Sequence, residues 1–313
     1  MHLLIGTDDG LYELGQGAPR RLRAGKVTHL AAGRGGAWAI VDDRIESLAE
    51  GSWEPPPRPE GSGEPPSLPA GLQPRCLLPM DGSLLIGTSE AHLYRAEAAE
   101  LVPIDGFAGA AGRDEWHTPW GGPPDTRSLA RDAGGSIYAN VHVGGVLRSA
   151  DSEGWEPTMD IGADVHQVNA HPTLAACVLV ASARGLGLSF DGATSWEFTR
   201  DGLHSAYARA VAAADETLYI SASAGPSGGR AALYRRTLRG STRLERCRSG
   251  LPEWFEGNID TGCLVASGAE VALGTAGGEV HASRDAGATW SQAASDLPSI
   301  RALAVVALST RTG

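Results

Sequence analysis

Short apolar runs separated by tight polar turns recur along the chain, and one order of them repeats. An apolar strand, a tight turn, a strand ending in small residues, another turn, a third strand and a Trp-bearing fourth follow one another. Runs of this length between turn residues predict β-strands. The clearest copy runs from Asp164 to Gly202 (DVHQVNA, CVLVASARG, LGLSFDGATSWEFT). A second begins near Asn258 (IDTGCLVASG, EVALGTAGG, EVHASRDAGATWSQ) and a third near Asp125 (TRSLARDAGG, SIYANVHVGG, VLRSADSEGWEPT). Weaker copies begin near Val27, Arg75 and Tyr207.

These are six complete units at a spacing of about forty to fifty residues, the length of a four-stranded blade. The tail, SIRALAVVAL, matches only a first strand, and the head, HLLIGTDDGLYELGQGAPRRL, only the second to fourth. The pattern therefore predicts an all-β fold, a single domain over residues 1–313. It is a seven-bladed β-propeller of four-stranded blades, closed by the N- and C-terminal strands in one blade so that no sheet edge is left open.

Residues Ser283–Trp290, SRDAGATW, match the motif S-x-D-x-G-x-T-W in full. Ser189–Trp196 keeps Ser, Asp and Trp but has Ala193 and Ser195 in place of Gly and Thr, and Ser149–Trp155 is one residue short. Here the chain resembles the Asp-box (BNR repeat) propellers, a superfamily that includes sialidases, sortilin-like receptors and photosystem II assembly propellers. The resemblance implies a box that turns between the third and fourth strands, its Asp capping local amides and its Trp packing between blades. The assembly propellers imply a non-catalytic binding role; they are exported or lumenal. Sialidases imply an arginine triad, a Tyr–Glu nucleophile pair and an Asp acid. Tyr207 and Glu253 are available for such a pair, but no Arg-Ile-Pro segment is present and sialidases have six blades, so sialidase activity itself is not expected.

In a propeller, connections one-to-two and three-to-four share the lower face, and two-to-three and four-to-one the upper. The boxes fall below, where the turns RDAGG, ASGAE, PMDG and AADE are short. Long insertions fall above: the proline-rich 54–74, the loop 105–124, Ala222–Arg230 and Ser249–Gly257. Loops on a rigid scaffold carry binding, so the upper face is the candidate. The 54–74 insertion reads as a stiff cover or a disordered excursion. The 105–124 loop leads into DEWHTPWGGPPDTR, whose Trp116, His117 and Trp120 are candidate ligand contacts.

Two constellations gather at the upper end of the channel. Aligning first strands on their apolar positions gives His29, Arg75, Arg127, His166, Arg209, Thr261 and Arg301, a ring able to bind a carboxylate, a phosphate or an acidic peptide end. In the structural alternative each arginine pairs with an aspartate such as Asp125, Asp164 or Asp260 and holds blades together. Arg184, Tyr207 and Trp254 join the ligand-binding candidates. His117, His142, His166 and His204 form the second set. They could bind a divalent metal such as Zn, Cu or Fe. Alternatively His142, His166 or His204, beside Asp164 or Glu253, could supply acid–base catalysis for a hydrolase or lyase. No HxH or HExxH spacing supports a metal.

Composition narrows the partners. The net charge of −11 opposes nucleic acid and anionic lipid, and no apolar run approaches a membrane span. Cys76, Cys177, Cys247 and Cys263 show no CxxC spacing and read as buried reduced thiols. MHLLIGTDDG meets Asp8 and Asp9 before a secretory apolar core could form, so a cytoplasmic, monomeric protein is expected. The reading favoured at this level is a binding or assembly propeller that takes an anionic small molecule or acidic protein segment at the upper mouth.

Overall fold

The computed structural model describes residues 1–33, 36–49, 52–54, 67–97, 100–241 and 243–306. Seven antiparallel sheets of four strands each form the fold. Blade 1 pairs Ile300–Val305, Leu3–Thr7, Gly10–Leu14 and Arg20–Ala24, from the axis outward. The innermost strands of blades 2 to 7 are Val27–Gly33, Pro74–Met80, Thr126–Arg131, Val165–Ala170, Tyr207–Ala214 and Leu264–Ser267. Each touches the innermost strand of the next blade, and Leu264–Ser267 touches Ile300–Val305, which closes the circle. Closure by both termini is thus as the repeat predicts, in the register Leu3↔Val305 and Ile5↔Leu303.

The second strands explain why the repeat reads so clearly. LLIGT, IYANV and VLVAS are buried along their whole length. Each is covered on both faces by neighbouring blades, so it is largely apolar and does not alternate, with a buried Thr7, Asn140 or Ser182 near its upper end. The core accordingly lies between blades. At the closing seam Leu3, Ile5 and Leu303 pack with Leu264, Leu273 and Val280 of blade 7. Fourth strands are short and exposed, as in Glu156–Pro157.

The turn at Ser283–Trp290 is held by its own polar side chains. Asp285 accepts hydrogen bonds from the Thr289 amide (2.8 Å) and hydroxyl (2.6 Å), and the Gly287 amide donates to Ser283 Oγ at 2.9 Å. Trp290 Nε1 donates to Gly287 O at 3.0 Å, and the ring is buried beside Tyr219 of blade 6. Asp191 makes the same bonds to Ser195, at 2.9 and 2.6 Å. Gly250, at φ +83°, lets the chain pass the box, since a Cβ there would lie 1.9 Å from Trp290 O.

The innermost strands share one irregularity. In blades 1 to 6 the pairing slips at the upper end of the strand, so that one extra residue bulges toward the channel mouth. A bulge re-aims a side chain and ends regular pairing. In blades 1, 3, 4, 5 and 6 the bulge carries Arg301, Arg75, Arg127, His166 and Arg209. In blade 2 the register makes Thr28 the extra residue and pairs His29 with Ile40. In blade 7 Cys263 pairs across to Gly274, which puts Gly262 at the equivalent place. The expected ring is therefore corrected at two positions. His29 and Thr261 each lie one residue away from it, because a bulge shifts the strand's alternation.

All four cysteines are free and buried, as expected. Burial pushes the Cys177 and Cys247 thiols up to about 11. Residues 55–66 of the proline-rich insertion lie outside the described residues. No helix of the described residues is long and apolar enough to cross a membrane.

Candidate functional site

Strand polarity brings five bulged side chains and the upper connections to one end of the channel. Three of the four arginines there have carboxylate partners. Arg209 meets Asp260 at 2.7 Å and donates to the Tyr207 hydroxyl at 3.2 Å. Arg301 grips Asp8 through Nε at 2.9 Å and an outer nitrogen at 2.6 Å. Arg75 Nε lies 3.4 Å from Asp125 without the alignment of a hydrogen bond. Pairing between neighbouring blades, the structural alternative, accounts for Arg75 and Arg209, while the Arg301 pair lies within blade 1.

Arg127 differs. It forms no ion pair or side-chain hydrogen bond among the described residues, although Asp125 and Asp260 act on it at longer range. Burial, and then the like charge of Arg209, push its pKa down. Beside it, Asp164 faces two histidines, His166 at 3.6 Å and His142 at 3.9 Å. His166, and further His142 and Arg127, hold the Asp164 carboxyl below the usual carboxylate range against burial. The His166 Nδ1–H donates to Ala208 O at 2.6 Å, which turns Nε2 toward Asp164. His142 is 6 % exposed, and burial followed by Arg127 lowers its pKa to about 4.

Four of the enclosed polar atoms without hydrogen-bond partners lie here, Arg75 Nε, Arg209 Nε, Asp164 Oδ1 and Asp260 Oδ1. Asp260 Oδ1 still has the Arg209 charge beside it. Buried polar groups are ordinarily satisfied, so these atoms leave room for a further hydrogen-bonding group at this end of the channel. Thr261 ties the floor together by donating to His166 O at 3.1 Å and Arg209 O at 3.0 Å. Below it lies a cavity of about 180 Å³ lined by His29, Ser128, Gln167, Asn169 and Thr261.

The 105–124 loop divides. Trp116 is buried against Phe107, ring centroids 5.6 Å apart, and thus serves the seam between blades 3 and 4. Trp120 is 77 % exposed and stands 5.1 Å from the His142 ring, at the mouth. His117 Nδ1 donates to Glu115 O within its own loop. Arg184 is exposed near Asp160 at 3.9 Å. His204 and Trp254 lie tilted against each other on the loops of blade 6, ring centroids 4.8 Å apart. Glu253, on the loop before Trp254, is exposed. Among the described residues no group of three or more His, Cys, Asp or Glu side chains is placed to hold a metal ion, so the four candidate histidines do not converge.

No family model matches the sequence, and no curated protein does either. Solved propellers match the fold. The computationally designed Ika8 protein aligns over 98% of this chain and 88% of its own, at 13% identity and a TM-score of 0.61. An ancestral GH74 enzyme aligns over 90% of this chain at 14% identity and a TM-score of 0.59, and the chain spans 37% of that enzyme's length. YCF48 bound to D1 peptide aligns over 78% of this chain and 76% of its own, at 17% identity and a TM-score of 0.52. At these identities the likeness is one of fold.

Proposed function

We propose that the chain is a non-catalytic binding propeller of the Asp-box kind, and that its upper mouth takes a carboxylate or phosphate from an acidic peptide segment or small anion. The observation that carries this reading is Arg127, a part-buried guanidinium with no ion-pair partner among the described residues, while Arg75, Arg209 and Arg301 around it each have one. A charge partly withdrawn from water and left without a partner is one that a ligand anion would complete. Trp120, exposed beside His142, offers a face for the apolar part of the ligand. YCF48, similar in fold, has been solved with a peptide. Four buried, unbridged thiols suit a reducing cytoplasm.

A hydrolase or lyase is the second reading, prompted by Asp164 between two histidines and by the fold of the GH74 enzyme. It is the weaker one. A histidine lowered to about 4 is a feeble base near neutral pH.

Titration calorimetry with succinate, inorganic phosphate and a Glu-rich peptide tests the binding reading. At least one of the three is expected to bind the wild type, and Arg127→Gln is expected to weaken it by about 10- to 100-fold, the loss of a charge-assisted hydrogen bond. Equal binding by the variant, or no binding of any of them to the wild type, would refute the assignment.

A further inference from the structure

On the upper rim of blade 6, separate connections bring cations and aromatic rings together with no ion-paired carboxylate among the described residues. The Arg246 guanidinium lies 3.7 Å from the centre of the Trp254 ring and that of Arg230 4.6 Å from it. The His204 ring stands 4.8 Å from Trp254, and its Nδ1 is 2.7 Å from the Tyr234 hydroxyl. Arg246 belongs to the fourth strand, Tyr234 to the third, and Arg230 to the connection between the second and third. His204 and Trp254 lie on the loops entering and leaving the blade. By strand polarity all five are at upper ends.

In contrast to Arg209 and Arg301, none of Arg230, Arg246 and Arg248 forms an ion pair among the described residues. Burial, and then Arg230 and Arg246, lower the His204 pKa; burial and the neighbouring cations likewise lower that of Arg246, against an opposing pull from Glu253. In a chain of net charge −11, this rim is a local concentration of arginines without ion pairs, with Glu253 acting on Arg246 at longer range. A guanidinium stacked on an aromatic ring is held in place while its N–H edge stays free to meet an oxygen anion. Trp, Tyr and Arg are also the residue types that dominate binding energy at protein interfaces.

We infer that this rim is a docking surface for an acidic protein segment, continuing the path of a peptide whose acidic group enters the mouth; in that continuity it rests on the binding reading above. His204 is three residues from Tyr207 on the same segment, a span of at most about 10 Å. An extended segment with acidic side chains a few residues apart therefore reaches both places. Linking two contacts on one chain makes the second effectively intramolecular and raises affinity without new chemistry.

Fluorescence anisotropy with a labelled ten-residue peptide of alternating Glu and Gly tests the rim. Wild type, Arg127→Gln, Arg230→Gln and the double variant Arg230→Gln with Arg246→Gln are compared at low and moderate salt. Circular dichroism establishes that each is folded. Arg230 is exposed, so its single variant serves even if the double variant unfolds. The double variant is expected to bind about tenfold more weakly, the single one about threefold, both with less dependence on salt. Rim variants that bind like the wild type, with Arg127→Gln weakened, would overturn the rim and leave the mouth standing. The reverse result would keep the rim and remove the mouth. A wild type that ignores the peptide would overturn the rim as a docking surface.

Discussion

Acidification from pH 7 to pH 4.5 is expected to remove about 3–5 kcal/mol of folding stability, most of it through His29 and His142. Burial lowers both to about 4, against an ordinary 6.5. Between those values the unfolded chain binds a proton at each site and the folded chain does not. Stability is therefore complete above about pH 6.5 and is lost as pH falls toward 4, with a slope of about 1.4 kcal/mol per pH unit for each histidine. The carboxyls held low beside amides and hydroxyls, Asp191 and Asp285 at about 2, act in a lower window and extend the loss below pH 4. Urea melts from pH 7 to 4.5 read this directly. Double replacement of His29 and His142 by Gln is expected to flatten the slope; a stability independent of pH down to 5 would show that the two imidazoles are not held neutral.

Trp290→Ala is expected to cost about 3–5 kcal/mol, the usual range for removing a buried large aromatic side chain. The ring is 6 % exposed, belongs to the core joining blades 6, 7 and 1, and has its indole N–H satisfied by Gly287 O. Backbone bonds to the preceding loop, Trp290 N to Ser249 O at 2.9 Å, fix its place at the seam. Trp196 occupies the equivalent place in blade 5 but is only half-buried, and its indole nitrogen has no partner. Trp196→Ala should therefore cost clearly less. Equal losses in equilibrium denaturation would mean that the full motif adds nothing to the seam.

The blades were legible in the sequence because their second strands are largely apolar and do not alternate, and the lower turns are short. Closure was legible because head and tail each supplied the part of a blade the other lacked. The ring was legible only in part. A bulge adds a residue without any compositional mark, so alignment on apolar positions chose His29 and Thr261 where the backbone presents Thr28 and Gly262. The aspartates two residues ahead of Arg127 and His166 were a visible signal for pairing across blades, which the sequence left as one of two alternatives. Trp116 and Trp120 could not be separated by sequence. What parts them is Phe107, which recruits the first into the core and leaves the second at the mouth. The rim of blade 6 was invisible as a unit, since its residues come from five separate stretches of chain.

Arg127 decides the matter of function. Urea denaturation of Arg127→Met beside the wild type, each with and without the anion that binds the wild type, measures its stability and its ligand response together. A part-buried, unpaired guanidinium adds little to the stability of the empty protein, so the variant is expected to match the wild type to within about 1 kcal/mol and to gain nothing from the anion. A variant that loses stability and is still stabilised by the anion would show that Arg127 is structural and that the mouth binds by other means.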